Sequence, residues 1–374
     1  MKTEAELQLA ELVAMPTISN DILVNDTALD YVESYLALRG MYCRRDRFNG
    51  HGTLLASTRP DNLLTPTILL TAHVDVVSGG EGLFRLRRQD GKLFGRGVYD
   101  MKFSIAGYLQ IVDELQDTLG DYDFGILITS DEEIGGTSGL ELIRSGLHPQ
   151  ACIMPDSTAP GWDIETVAKG FWRFDLIAQG RSAHGARPWE GESASFKLIH
   201  ALHELQAHFA GHNIASDSLN IGRIEGGTAY NVVPAEMSAA VEIRYMSKQS
   251  LQDNQDLIKD LCEKYGLVFR PQILCSSVIT DLGHPLVKEY LQSVEKVTGR
   301  RPESFISCAG SDAPPFYDAG ITCILSCCEG SGHHTEEEWI DLKSFLQFVP
   351  IVRDFLEKTA LQKSKKPYVA STQS

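Results

Sequence analysis

The chain has 374 residues, more than one ordinary domain and about right for two. Its 43% hydrophobic and 22% charged residues are the composition of a soluble globular protein. With 34 basic against 50 acidic residues the formal net charge is −16 and no basic stripe stands out, so a nucleic-acid partner gripped through its phosphates is excluded.

The first residues, MKTEAELQLAELVAMP, carry Glu4, Glu6 and Glu11 among apolar residues at helical intervals. They do not read as a secretory signal. Thr3 to Met15 is predicted to be an amphipathic helix stopped by Pro16, and Asp26 to Leu38 a second helix. Strands are predicted near Tyr42–Arg47 and Thr53–Ser57, then over Thr67–Ala72, a fully apolar run that ends at His73. Phe84 to Phe94 alternates around Asp90-Gly91, a hairpin signal. A helix over Met101–Gln116, a buried strand over Phe124–Ser130, a helix over Thr137–Ser145 and a strand over Ala151–Pro155 complete this part. Helix and strand alternating in this way imply a parallel or mixed sheet covered on both faces.

The pattern changes after about Gly170. Phe171–Gln179 alternates as a half-exposed strand, followed by a helix over Ala194–Phe209. Strand-like segments follow at Leu219–Ile224, Ala229–Val233 and Glu236–Tyr245, then a helix over Ser250–Tyr265 and a strand over Val268–Cys275. From His284 the alternation resumes, with a buried strand at Ile321–Ser326 and a helix at Leu342–Glu357. The fold class expected is α/β, a mixed and mostly parallel sheet flanked by helices, over residues 1–170 and 279–362. An α+β domain over 171–278 interrupts it. The polar tail over 363–374, KSKKPYVASTQS, is expected to be disordered.

The eight cysteines form no C-x-x-C pair, and Cys152 and Cys323 sit in apolar runs, as free buried thiols do. That usage suggests a reducing compartment, and no uncharged window approaches a membrane-spanning length. The cytoplasm is the expected location and no membrane partner is expected.

Three predicted strands run directly into ionisable residues: His73 and Asp75, then Asp131, Glu132 and Glu133, then Asp156. In open α/β sheets chemistry collects at the carboxyl ends of the strands. Taken singly, each group has a structural reading. Asp100, after the glycine-rich GRGVY, is an acceptable helix cap, and Asp131-Glu132-Glu133 an acceptable charged helix start. Gly135-Gly136 instead suggest a tight turn that holds adjacent carboxylates at different angles, one to ligate a metal and one to act as base. Together, that many anions on one rim would cost several kcal/mol each, in order of magnitude, unless cations neutralise them. Imidazole and carboxylate donors without thiolate suit Zn²⁺, Mn²⁺ or Co²⁺ in an open catalytic site. The histidines at 200, 203, 208 and 212 lie on or near one helix but lack acidic partners, and read as a solvated face.

With TAHVDVV, GRGVYDMK, TSDEEIGG, MPDS, GRSAHGARPWEG, GGTAYNVVPAE, AGSDA and HHTEEEW in this order from His73 to Trp339, the chain resembles the M20 zinc metallopeptidases. That group includes acetylornithine deacetylase, succinyl-diaminopimelate desuccinylase, aminoacylases, carboxypeptidases and dipeptidases. The resemblance implies two zinc ions per chain, with Co²⁺ or Mn²⁺ as substitutes. His73, Asp100 and Asp156 would hold one. Asp100, Glu133 and His334 would hold the other, Asp100 bridging. Asp75 would orient His73, and Glu132 would be the general base. His334 is chosen over His333 because the family histidine is followed four residues later by glutamate, here Glu338, and Trp339 supports that register. The Asp100–Met101 peptide is often cis in the family. The inserted domain resembles a lid and dimerisation domain, implying a homodimer. His184 in it would polarise the scissile carbonyl, and Asn231 and Arg244 match substrate-contacting positions. Arg244 reads equally well as a strand-face residue. Gly310 and Ser311 open a helix whose N–H groups could receive a substrate carboxylate, although an ordinary cap reads as well. One departure stands out: Asp156 occupies a place where deacylases of the family carry glutamate, and aspartate there is commoner in its aminopeptidases and dipeptidases.

The expected activity is hydrolysis of an amide bond in a small N-acyl amino acid or short peptide with a free carboxylate, with dipeptidase or carboxypeptidase action as the alternative to deacylation. A non-catalytic metal- or peptide-binding protein on this scaffold would need no group at Glu132. A redox iron enzyme with two histidines and a carboxylate would leave Asp100 and Glu133 surplus.

Overall fold

The computed structural model describes residues 3–211, 213–308 and 310–362. The expected tail over 363–374, and the histidine at 212, lie outside the described residues. The described residues divide into two compact units, one within 3–166, 280–305 and 311–362, the other within 167–279 and 306–310. Residues 306–310 therefore leave the part of the chain to which the sequence assigned them.

The strands of the two main sheets are β1 (Tyr42–Phe48), β2 (His51–Ser57), β3 (Ile68–His73), β4 (Phe124–Thr129), β5 (Ala151–Met154), β6 (Gly170–Gln179), β7 (Ser218–Gly226), β8 (Glu236–Tyr245), β9 (Leu267–Cys275) and β10 (Thr322–Leu325). In the first unit they form one sheet in the order β1-β2-β4-β3-β5-β10. β4, β3, β5 and β10 run parallel, and the β1–β2 hairpin adds an antiparallel edge. Every residue of β3, β4 and β5 is buried, as strands covered on both faces must be. These are the three strands that end in ionisable residues. Because they are parallel neighbours, their carboxyl ends meet at one rim.

Helix α1 (Glu4–Ala14) carries a capping box in which Thr3 and Glu6 satisfy each other's backbone N–H groups. α2 (Ile22–Ala37) begins four residues before the expected Asp26, because Asp21 accepts from Val24 N at 3.3 Å and starts the helix there. α3 (Lys102–Glu114) follows the glycine-rich loop directly. Buried Lys102 donates from Nζ to Leu12 O at 3.0 Å and Met15 O at 2.8 Å, so it satisfies carbonyls at the end of α1.

In the second unit β7-β8-β6-β9 form an antiparallel sheet. α5 (Ala194–His208) and α6 (Lys248–Tyr265) pack with Trp172, Phe174, Leu176, Val241 and Ile243 in its own core, while β9 is exposed along most of its length. The strand expected at Ala229–Val233 is absent. That segment is a turn pinned to residues 183–185, with Val233 N bonded to Ala183 O at 2.9 Å. Five strands not expected are present: Ile164–Ala168, Val278–Ile279, Ser304–Ser307, Gly330–Ser331 and Trp339–Asp341. His200, His203 and His208 are exposed along α5, as a solvated face requires. Among the described residues no helix is long and apolar enough to cross a membrane.

Candidate metal centre

His73 is the last residue of β3, and its side chain is 1% exposed. Its Nε2 lies 3.0 Å from Asp100 Oδ1, and its Nδ1 lies 2.9 Å from the Asp75 carbonyl oxygen and 3.5 Å from Asp75 Oδ1. The backbone of Asp75 thus approaches the ring more closely than the carboxylate does. That carboxylate accepts from Glu132 N at 3.3 Å and Glu133 N at 3.2 Å, so Asp75 also fixes the turn carrying those two glutamates.

Asp100 follows the loop Gly95–Tyr99. Gly97 has φ +79°, and a side chain there would press on Val76 and Lys102. The Asp100–Met101 peptide is cis. The two Asp100 oxygens face different imidazoles: Oδ1 meets His73, and Oδ2 lies 3.2 Å from His334 Nε2. His334 Nε2 is also 2.9 Å from Glu133 Oε2. Ring chemistry is therefore shared out by register: His334 reaches the carboxylates, whereas the neighbouring His333 ring packs near Tyr99 at 6.1 Å between centroids. His334 adopts φ +63°, uncommon for a residue with a side chain, in a turn closed by Thr335 N bonding Gly332 O at 3.0 Å.

Asp131 is separated in function from the two glutamates after it. Its Oδ2 accepts from Thr137 N at 2.9 Å and Ser138 N at 3.2 Å, satisfying N–H groups at the start of α4 (Ser138–Arg144). Gly136 packs so closely over Asp131 that a Cβ would sit 2.1 Å from its carboxyl carbon. The acidic run thus contains one helix cap and two groups turned to the rim.

Ligand atoms of His73, Asp100 and Asp156 lie within 4.8 Å of one another, and so do those of Asp100, Glu133 and His334. The electrostatics record the crowding. Burial, reinforced by neighbouring carboxylates, pushes Glu132 and Glu133 up to about 7 and Asp156 well above the usual carboxylate range. Burial would lower His73, but its bonds to Asp100 and Asp75 outweigh that and hold it well above the ordinary histidine value. The bond to Asp100 likewise raises His334. In Asp100 burial is outweighed in the other direction by the two histidines, and its carboxyl stays ionised. Carboxylates whose charge is disfavoured by burial and by one another are the groups that a bound cation would stabilise. Imidazole and carboxylate oxygens without thiolate are donors that fit a divalent cation.

Asp312 belongs to this rim and was read in the sequence only as part of a helix opening. Its Oδ2 accepts from Thr129 Oγ1 at 2.9 Å, and burial, then Glu132, pushes it up to about 8. Gly310 and Ser311, where the sequence placed donors for a substrate carboxylate, precede the helix rather than form its first turn. The helix over Ala313–Asp318 begins Ala313-Pro314-Pro315; the prolines have no N–H, and the Ala313 N–H is bonded to Ser311 Oγ at 3.3 Å. Gly310 belongs to the second unit and Ser311 to the first.

The second unit holds the other expected contacts. His184 is exposed, and its Nδ1 accepts from Ala186 N at 3.1 Å, which leaves the ring proton of the neutral form on Nε2. Asn231 is exposed beside it, its carbonyl accepting from Gly185 N at 2.7 Å. Arg244 is held by partners in its own unit through part of its guanidinium: Nε donates to Glu242 Oε1 at 2.8 Å, Nη1 to Cys308 O at 3.1 Å, and the group lies 4.8 Å from the Phe171 ring centroid.

Known proteins agree with this architecture. A succinyl-diaminopimelate desuccinylase of Rhodospirillum centenum is 28% identical over 363 residues, covering 88% of this chain and 92% of that protein. Among solved structures, aminopeptidase PepT from Bacillus cereus superposes with TM-score 0.78 at 21% identity, covering 95% of this chain and 98% of that one. An M20 family metallo-carboxypeptidase from Sulfolobus solfataricus does so with TM-score 0.71 at 18% identity, covering 95% and 99%. These two structural likenesses concern the fold. Fold and site together define a metallo-hydrolase. Residues 69–358 match peptidase family M20/M25/M40, and the chain belongs to that family.

Proposed function

We propose that this chain hydrolyses an amide bond in a small N-acyl amino acid or short peptide with a free carboxylate, using two zinc ions held on either side of Asp100. The observation that carries the reading is the placement of Asp100, with one oxygen towards His73 and the other towards His334, beside a glutamate that neither triad uses. His73, Asp100 and Asp156 would hold one ion and Asp100, Glu133 and His334 the other; manganese or cobalt suits the same donors. When bound, the ions supply Lewis acidity, which polarises the carbonyl and lowers the pKa of the attacking water.

The rest falls to the chain. Glu132, the carboxylate beside the two triads that belongs to neither, is assigned to take a proton from the attacking water and return it to the leaving amine. Asp75 keeps the backbone of that glutamate in place through its N–H. His184, with its Nε2 proton directed away from its own loop contact, is the donor we assign to the developing oxyanion. Asn231 and Arg244 are assigned to the substrate, the guanidinium to its carboxylate. The second unit is assigned the lid role and the contact between two copies in a homodimer.

Aspartate at 156 favours cleavage of a peptide; the relative named as a desuccinylase favours removal of an acyl group. Both share every step above. The test is a screen of N-acetyl amino acids, N-succinyl amino acids and dipeptides, with zinc, manganese and cobalt supplied in turn. Metal-dependent release of free amine from one of these sets is expected. No turnover on any amide, or turnover unaffected by chelator, contradicts the proposal.

A further inference from the structure

Glu338 ends the run Glu336-Glu337-Glu338, which in sequence has the look of a charged surface. In the fold its side chain is 2% exposed and paired with Arg96, itself 3% exposed, at 2.9 Å. Both carboxylate oxygens are fully engaged. Oε2 accepts from Arg96 Nη1 and from Gly97 N, each at 2.9 Å. Oε1 accepts from Tyr99 N at 2.9 Å and Asp100 N at 3.2 Å. The Glu338 carbonyl in turn accepts from Gly95 N at 3.3 Å. Just beyond, Trp339–Asp341 pairs antiparallel with Lys92–Phe94, the strand that leads into the same loop. The segment carrying His334 and the loop carrying Asp100 are thereby stitched together from both sides.

We propose that Glu338 is a positioning residue for the metal centre: it holds the backbone of residues 97–100 so that Asp100 keeps one oxygen towards each triad, and it registers that loop against the turn of His334. This rests on the function proposed above. The physical case is one of matching. Four donors converge on one side chain, and an ionised carboxylate is the group whose acceptor sites can take them all without offering a donor in return. An amide in its place would turn an N–H₂ against Arg96 or against backbone N–H groups. The Arg96 charge offsets the Glu338 charge, so the strut adds order without adding to the anionic load of the rim. Partners behind metal ligands typically change metal affinity by about 10–100-fold when altered.

The test uses the full chain. Glu338→Gln removes the charge and inserts a donor. Glu338→Asp keeps the charge for Arg96 but draws the carboxylate back from the loop. Competition with a chelator for zinc is expected to show affinity down by about 10–100-fold in each variant that folds. kcat should fall while KM changes little. Asp123→Asn is the control for mere destabilisation: Asp123 takes hydrogen bonds from Asn62 and Thr67 in the same unit, away from the loop. It should lower the melting temperature and leave zinc affinity unchanged. Wild-type zinc affinity in either Glu338 variant overturns the proposal. Should neither variant fold, amide exchange in the metal-free wild type decides. The amides of Gly97, Tyr99 and Asp100 are expected to be protected before any metal is added; free exchange until zinc arrives overturns the strut. A wild-type chain that binds no divalent ion would instead remove the proposed function.

Discussion

The two proposed ligand triads share Asp100 and little else. The first is strand-borne and dry: His73 ends β3 with 1% of its side chain exposed, Asp156 follows β5, and Asp75 backs the imidazole. The second is loop-borne and wetter: Glu133 lies in the single turn Glu132–Ile134, and His334, 52% exposed, stands on a turn at φ +63°. A ligand at the end of a buried strand is positioned by the core; a ligand on a turn is positioned by hydrogen bonds that can open locally. The first seat is therefore expected to hold its ion more tightly, and the second to exchange it.

The largest effect should come from the group that belongs to neither seat. Glu132→Gln is expected to retain both ions and lose about 10²–10⁴-fold in kcat, the usual worth of a positioned base. Turnover at the wild-type rate, with metal content confirmed, would remove Glu132 from that role. Next in size is the contrast between the histidines. His73→Ala should lower the melting temperature by opening a buried gap and should weaken the dry seat; His334→Ala should lower the melting temperature of the metal-free chain by less and strip only the exchangeable ion. Equal metal loss and equal thermal shifts in the two variants would break the comparison.

The smallest effect is one of pH. In the metal-free chain Glu132 and Glu133 are raised to about 7, so the folded state binds more protons than the unfolded state between the ordinary glutamate value and about 7. Raised His73 and His334 act in the same sense: their contribution is complete below the ordinary histidine pKa and is lost as pH rises through their folded values. Stability of the metal-free chain should thus fall as pH rises from about 4.5 to beyond 7. The depressed Asp100 and Asp75 contribute stability that is lost only at lower pH, as each falls through its folded value. Adding zinc should flatten or reverse the decline in melting temperature. A metal-free chain that grows more stable over that interval would contradict the crowding on which both seats depend.

Much of this was legible before any coordinates, for physical reasons. The runs ending at His73 and before Asp131 and Asp156 are mostly apolar, and buried parallel strands leave little freedom over where their ends lie. The helix boundary at Asp21 was missed because a cap can act several residues before the apolar period becomes visible. The segment 229–233 has strand composition, yet Gly226-Gly227 and Pro234 bracket it and its hydrogen bonds go to the neighbouring loop. Pro314-Pro315 was readable as a loss of donors at the start of the helix over Ala313–Asp318. Glu338 was not readable as buried. Three glutamates in a row look solvated, and only the arrival of Arg96 and the 97–100 amides, some 240 residues away in sequence, makes burial of the third favourable.

The most direct measurement is anomalous diffraction at the zinc edge from crystals grown with zinc. Two peaks are expected astride Asp100, one against His73 and Asp156 and the other against Glu133 and His334, with the second fading first on a soak in chelator. A single ion that leaves Asp100 uncoordinated, or zinc bound elsewhere with this rim empty, would contradict the account.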